Sequence, residues 1–208
     1  MSRRYPAKES GAPLLVLAHG AGAGHDHPWM IRVAKGLAAR GIDVSTFNFP
    51  YKEAGRGAPD RGPILEEAFR EAWREAATQA RGPMFAGGKS MGGRIGSQVA
   101  ALDGFAPPPA GLVFFGYPLH PPGKPQQRRD RHLPKVAAPM LFISGTRDPF
   151  ASPDELQELV QDLPRATLRL VDGGDHSLAT TKKVDPNGTV LDGVMDVAAD
   201  WMRGIPRP

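Results

Sequence analysis

Short apolar runs alternate with longer amphipathic segments along most of this chain. Together the apolar runs are rich in Leu, Val and Phe, and they are bounded by Gly, Pro or polar residues. Such runs are typical of strands that are buried on both faces of a parallel sheet. The predicted strands are residues 13–18, residues 42–49, a run that begins at Met84, and residues 111–117, 140–144 and 166–171.

The amphipathic segments carry apolar residues at spacings of three and four, which predicts helices between the strands. One helix has a clear start, because Ser152 and Glu155 have the spacing of a capping box. The alternation predicts an α/β fold, with a mostly parallel sheet of six or slightly more strands and helices on both faces. Pockets in such sheets form at the carboxyl ends of the strands. The loops predicted at those ends are residues 19–24, 88–92, 146–150 and 172–177.

Length and composition indicate one globular domain. The chain has 208 residues, of which 23% are charged, so it is long enough for one sizeable core but too short for two. We expect a single domain over residues 1–208. Residues 1–11 are expected to form an N-terminal tail, and residues 118–135 an irregular, Pro-rich loop near the site.

Charge and composition also limit the partners. The net charge of +4 is scattered, and the one basic cluster, residues 128–132, is interrupted by Asp130. This pattern favours a solvated loop, so we expect no nucleic-acid partner. The chain has no cysteine, which excludes disulfides, thiol nucleophiles and thiolate metal sites. His25 and His27 could suggest a metal, but no third ligand is nearby, so we expect neither a metal nor a cofactor.

The N-terminal region carries no sign of membrane insertion. Its first residues are basic, but no long apolar segment follows, and residues 14–18 are too few for a signal peptide or a membrane span. We therefore expect a cytoplasmic protein with no membrane partner.

Residues 84–93 combine a short apolar run, a Gly-rich turn and the start of a helix. Ser90 is at the apex of the turn, and Gly88 and Gly92 flank it in the pattern Gly-x-Ser-x-Gly. A strand, a sharp turn and a helix are the context of a nucleophile elbow, in which larger flanking side chains would clash. The pattern predicts an exposed Ser90 hydroxyl beside the first N–H groups of the helix.

Two other interpretations of the same turn are open. Residues 88–90 match the end of a phosphate-binding P-loop, but that pattern needs Gly where Pro83 stands, and its strand would precede the first glycine. The stretch could also be an ordinary glycine-rich turn between a strand and a helix.

A serine nucleophile needs a base, usually a histidine that a carboxylate orients. Of the six histidines, His176 follows the last predicted strand, and Asp148 directly follows the fifth. The order Ser90, Asp148, His176 is the order of the α/β hydrolases. His176 could instead be a surface loop residue, and Asp148 a turn or cap residue before Pro. Asp172 and Asp175 are competing acids.

Hydrolysis of an acyl compound also needs hydrogen-bond donors for the developing oxyanion. The N–H of Met91, at the start of the helix after Ser90, is one candidate. The loop after the first predicted strand should supply the other, with Ala21 as the first choice and Gly22 as the second.

Four segments together resemble the small α/β-hydrolase superfamily, and most of all its dienelactone-hydrolase-like branch. They are residues 17–22, 88–94, 144–150 and 174–177. They resemble more closely still a compact family of α/β-hydrolase-like proteins that includes a testis-expressed protein and a subunit of a histone acetyltransferase complex. The resemblance extends over residues 14–201 and covers nearly the whole chain.

The resemblance implies that Ser90 is the nucleophile, Asp148 the orienting acid and His176 the base. The chain lacks the insertion that forms a helical cap in larger relatives, so only residues 118–135 could partly cover the site. We expect a serine hydrolase whose substrate is a small acyl compound. It would cleave an ester or thioester through an acyl-Ser90 intermediate. The alternative is a hydrolase-fold interaction module with vestigial activity. Peptidase or acyltransferase chemistry would use the same residues.

Overall fold

The sheet has seven strands within residues 2–205, the part of the chain that the computed structural model describes. Its order is β1-β3-β2-β4-β5-β6-β7, and β1 alone runs antiparallel to its neighbour. The mostly parallel sheet predicted from the apolar runs is confirmed. The strands are β1 (Arg3–Tyr5), β2 (Leu14–Ala18), β3 (Asp43–Phe47), β4 (Met84–Lys89), β5 (Gly111–Phe115), β6 (Met140–Gly145) and β7 (Ala166–Val171).

Strand β1 lies inside residues 1–11, which the sequence predicted to be a tail. It pairs with the edge of β3, where Arg4 and Asp43 form an ion pair with a nitrogen–oxygen distance of 3.1 Å. Asp43 also accepts a hydrogen bond of 2.7 Å from the N–H of Ala7. The strand has only three residues and no apolar run, so its position depends on these contacts with β3 rather than on a local pattern.

Six α-helices cover the two faces of the sheet in residues 2–205, and none is long and apolar enough to cross a membrane. Helices α1 and α6 pack on one face, and α3, α4 and α5 pack on the other. Alternate residues of each central strand enter the two cores, as the pleat of a strand requires. The helices are α1 (Pro28–Ala38), α2 (Pro50–Glu53), α3 (Gly62–Ala77), α4 (Met91–Ala100), α5 (Pro153–Gln161) and α6 (Val190–Gly204).

The turn between β4 and α4 brings the start of the helix against the end of β2. A Cβ atom on Gly92 would lie 2.3 Å from the carbonyl oxygen of Ala18, and one on Gly88 would lie 2.5 Å from it. Both distances are far below van der Waals contact, so only glycine fits at either position. Ser90, between them, has φ 51° and ψ −117°, an unusual conformation for a residue with a side chain.

The close contact at Gly92 makes a stability prediction. Gly92→Ala should lower the free energy of unfolding by at least about 2–3 kcal/mol, because the added methyl group overlaps the backbone of β2. Gly193 is a matched control, since it is also helical but a methyl group added there would have nothing within 4 Å. Gly193→Ala should stabilise the protein by about 0.5–1 kcal/mol. Urea unfolding followed by circular dichroism would measure both changes, and equal stability of the two variants would contradict the packing argument.

Candidate active site

A cleft of about 690 Å³ opens where the parallel strands end. Its walls include residues 20–23 after β2, residues 89–91 around the end of β4, and residues 176–177 after β7. Pro118 and Arg129, from the Pro-rich segment, also line it. The cleft therefore lies at the edge of the sheet where the sequence placed the candidate loops.

Three predicted side chains form one hydrogen-bonded chain at this cleft. His176 Nε2 is 2.8 Å from Ser90 Oγ, and His176 Nδ1 is 2.7 Å from Asp148 Oδ2. The Asp148 carboxylate is completely buried, whereas 21% of the His176 side chain is exposed. Because an ionised carboxylate only accepts hydrogen bonds, the proton of the neutral imidazole lies on Nδ1. Nε2 is then free to accept the hydroxyl proton of Ser90.

Neighbouring groups fix the orientation of Asp148 and His176. The second oxygen of Asp148, Oδ1, accepts a hydrogen bond of 2.9 Å from the N–H of Phe150. The ring of Phe150 packs against the imidazole of His176, with centroids 4.2 Å apart and an angle of 31° between the planes. Asp148 is thus a turn residue, as one alternative had it, and it also contacts His176.

The competing acids have other partners. Asp175 Oδ1 accepts hydrogen bonds from the N–H groups of Ser177, at 2.7 Å, and Ala179, at 3.1 Å, and so stabilises its own loop. Asp172 Oδ1 accepts from the hydroxyl of Thr146 at 3.4 Å. Of the three acids that the sequence offered, Asp148 is the one in contact with His176.

Lys89 has a place in the site that the sequence did not reveal. Its ammonium group donates a hydrogen bond to the backbone carbonyl of His176 and lies 6.0 Å from the ring centroid of Trp29. Burial lowers the pKa of Lys89 to about 8, although the charges of Asp148 and Asp175 oppose this. Lys89, which belongs to the stretch that matches the end of a P-loop, therefore contacts the loop that carries His176, residues 172–177 (the histidine loop).

Trp29 holds the next residue of the same loop, since its indole N–H donates to the carbonyl of Ser177 at 3.0 Å. Two side chains from distant parts of the chain thus fix the backbone at residues 176–177. No local sequence pattern marks either contact, because Lys89 and His176 are 87 positions apart.

The loop after β2 lies beside Ser90 and is itself held in place. Ala21 and Gly22 line the cleft with Met91, the first residue of α4. The hydroxyl of Tyr51 donates to the carbonyl of Ala21 at 2.8 Å. A Cβ atom on Gly20 would lie 3.7 Å from that of Ser90, so the loop passes directly over the serine.

His19, at the start of this loop, is a buried structural residue. Its Nε2 accepts a hydrogen bond of 3.1 Å from the N–H of Phe49, and its Nδ1 is 2.8 Å from the carbonyl oxygen of Gly20. A backbone N–H can only donate, so the proton of neutral His19 is on Nδ1. Burial lowers the pKa of His19 to about 4.

His25 and His27 were the histidines that could suggest a metal site. His27 Nδ1 accepts from the N–H of Trp29 at 3.2 Å and so caps α1. Within residues 2–205, no group of three or more His, Cys, Asp or Glu side chains is placed to hold a metal ion.

The parallel sheet, the turn at Ser90 and the site at the strand ends together define an α/β-hydrolase fold. Residues 11–204 match the family model described as "Alpha/beta hydrolase domain", and the chain belongs to this family.

Solved structures share the fold at low sequence identity. An alpha/beta hydrolase candidate of unknown function from Agrobacterium tumefaciens is 22% identical, with a TM-score of 0.74, and the match covers 100% of this chain and 94% of that one. The esterase domain of a Rhodothermus marinus protein is 18% identical, with a TM-score of 0.70 and coverage of 97% and 91%. A dienelactone hydrolase from Anabaena variabilis is also 18% identical, with a TM-score of 0.70 and coverage of 99% and 92%.

The buried His19 makes stability depend on pH. Its pKa is about 4 in the folded protein and 6.5 when unperturbed, so between these values the unfolded chain binds more protons. His19 therefore has no effect on pH dependence above about pH 6.5, and below it stability falls by up to about 1.4 kcal/mol per pH unit. Urea unfolding from pH 7.5 to 4.5 should show this slope, and His19→Gln should reduce it. An unchanged slope in the variant would contradict the assignment.

Proposed function

We propose that this protein is a serine hydrolase that cleaves a small ester or thioester through an acyl-Ser90 intermediate. The observation that carries the proposal is the hydrogen-bonded chain from Ser90 through His176 to the buried Asp148. A serine hydroxyl is a weak nucleophile, and an adjacent, oriented base is what activates it.

In the proposed reaction, Ser90 Oγ attacks the carbonyl carbon of the substrate while His176 Nε2 takes the hydroxyl proton. The tetrahedral intermediate then collapses and breaks the bond to the leaving alcohol or thiol, which receives the proton from His176. Water repeats the sequence on the acyl-enzyme, with His176 again as the base, and releases the acid and free Ser90. Asp148 keeps the proton on Nδ1 and stabilises the imidazolium that forms.

The proposed oxyanion site consists of the N–H of Met91 and an N–H of the loop after β2, from Ala21 or Gly22. Met91 is the first residue of α4, where N–H groups have no partner within the helix and the helix dipole favours negative charge. The hydrogen bond from Tyr51 to Ala21 supports this assignment, because it holds the opposite wall of the site. Removal of one such donor typically raises the activation barrier by about 2.7–4 kcal/mol.

The size of the substrate follows from the loops around the cleft. The described chain has no inserted cap domain between its strands, and Pro118 and Arg129 are what the Pro-rich segment contributes to the cleft wall. An open cleft of this kind suits a small or exposed acyl group. The alternative is a hydrolase-fold interaction module with vestigial activity, which the same fold would also accommodate.

Reaction with a tagged fluorophosphonate tests whether Ser90 is activated. The wild-type protein should be labelled and Ser90→Ala should not be, because the reagent phosphonylates a serine whose proton is removed by a base, with loss of fluoride. Ser177, which also lines the cleft, provides the matched control, and Ser177→Ala should keep the label. Absence of labelling in folded wild-type protein would contradict the hydrolase proposal and favour the interaction module.

The acid assignment is tested separately by amide substitutions. Asp148→Asn should lower kcat by up to about 10⁴, because the amide favours the wrong imidazole tautomer and cannot stabilise the imidazolium. Asp172→Asn, which changes a carboxylate with no contact to His176, should stay near the wild-type rate. Steady-state hydrolysis of a 4-nitrophenyl ester would measure both. A fully active Asp148→Asn would show that another acid orients the histidine.

A further inference from the structure

Two arginines line the cleft without an acidic partner. Arg94 is on α4, four residues after Ser90 and so one turn further along the same helix. Arg129 reaches the cleft from the Pro-rich segment after β5. Neither has an ion pair or a hydrogen bond to a carboxylate anywhere in residues 2–205, and the reaction proposed above uses neither.

The surroundings of Arg94 leave its charge uncompensated. Its Nη1 donates to the side-chain oxygen of Gln98 at 3.1 Å, but its Nε is buried and has no hydrogen-bond partner in the described chain. Burial lowers the pKa of Arg94. The imidazole of His132 is uncharged at neutral pH, because burial and the charge of Arg94 lower its pKa to about 4. The negative charge of Glu66 raises the pKa of Arg94, but its carboxylate is ion-paired with Arg70, at 3.9 Å.

The backbone of Arg129 is fixed, although its side chain is free of partners in residues 2–205. Its N–H donates to the carbonyl of Leu119 at 2.8 Å, and its own carbonyl accepts from the hydroxyl of Tyr117 at 3.1 Å. The preceding residue, Arg128, is different, because it forms ion pairs with Asp130 and Glu155. Asp130 and Glu155 therefore both pair with Arg128, whereas Arg129 lines the cleft.

The acid that lines the cleft does not neutralise these two arginines. Asp60 is ion-paired with Arg56 at 2.6 Å. Arg94 and Arg129 repel each other, which contributes to the lowered pKa of Arg94. Two guanidinium groups in a partly desolvated cleft are costly unless an anion joins them, and their planar donors match the oxygens of a carboxylate or phosphate.

We propose that Arg94 and Arg129 form an anion subsite and that the substrate is an ester or thioester that also carries a carboxylate or phosphate group. This inference rests on the proposed hydrolase function, because it names the substrate class for the same cleft. The guanidinium groups fix the charged end of the substrate, and Ser90 reacts with its carbonyl carbon.

The first test compares matched esters that differ only in charge. Monomethyl glutarate is compared with its carboxamide analogue, and 4-acetoxybutanoate with its carboxamide, so the anion is on the acyl part or on the alcohol part. In the wild type, kcat/KM should be at least roughly tenfold higher for the anionic member of one pair. Arg94→Gln and Arg129→Gln should each reduce that ratio by roughly tenfold to a hundredfold. Arg131→Gln removes an exposed charge from the same segment and should leave the ratio unchanged.

The second test measures binding without turnover. In Ser90→Ala protein, isothermal titration with glutarate and with inorganic phosphate should show binding that Arg94→Gln weakens, and the tighter ligand identifies the oxyanion. A ratio near one for both ester pairs together with no Arg94-dependent binding of glutarate or phosphate would overturn the subsite. A parallel loss for charged and neutral esters in Arg94→Gln would also overturn it. Absence of fluorophosphonate labelling would instead overturn the hydrolase function. In that case anion binding that depends on Arg94 and Arg129 would still establish the subsite, and its absence would remove it.

Discussion

The contact between the first turn of α4 and the end of β2 is the constraint on which the site depends. Gly92 brings that turn so close to the carbonyl of Ala18 that no side chain fits between them. The sharp turn at Ser90, with φ of 51°, lies between this contact and the equally close Gly88, and the Ser90 hydroxyl meets His176 Nε2. The contact also sets the loop after β2 beside the serine. The position of the proposed nucleophile and that of the proposed oxyanion donors therefore have one structural cause.

The histidine loop is positioned by a different set of forces. His176 has no regular secondary structure around it, so its place depends on side chains from elsewhere in the fold. Lys89 and Trp29 hold the backbone carbonyls at residues 176–177, while Asp148 and Phe150 fix the imidazole. Burial of the Lys89 ammonium costs free energy, and the carbonyl of His176 offsets part of it. These contacts preorganise the loop without involving His176 Nε2 or Ser90 Oγ, the atoms proposed to react.

Local patterns predicted the sheet, the helices on its faces and the loops at the strand ends, because apolar periodicity reflects burial directly. The same reasoning selected Ser90, Asp148 and His176, since the ends of parallel strands meet at one edge. Strand β1 was not predicted, because its three residues form no apolar run. The contacts of Lys89 and the proposed role of Arg94 were not predicted either. Each depends on which distant groups surround the side chain, and spacing along the chain does not carry that information.

The central claim, an acyl intermediate on Ser90, is tested most directly by trapping it. The protein would be mixed with 4-nitrophenyl acetate, quenched in acid within the first turnover and digested for peptide mass spectrometry. The account predicts an acetyl group on the peptide that contains Ser90 and none on the same peptide of Ser90→Ala. Turnover with the acetyl group on another residue, or undiminished turnover by Ser90→Ala, would contradict it.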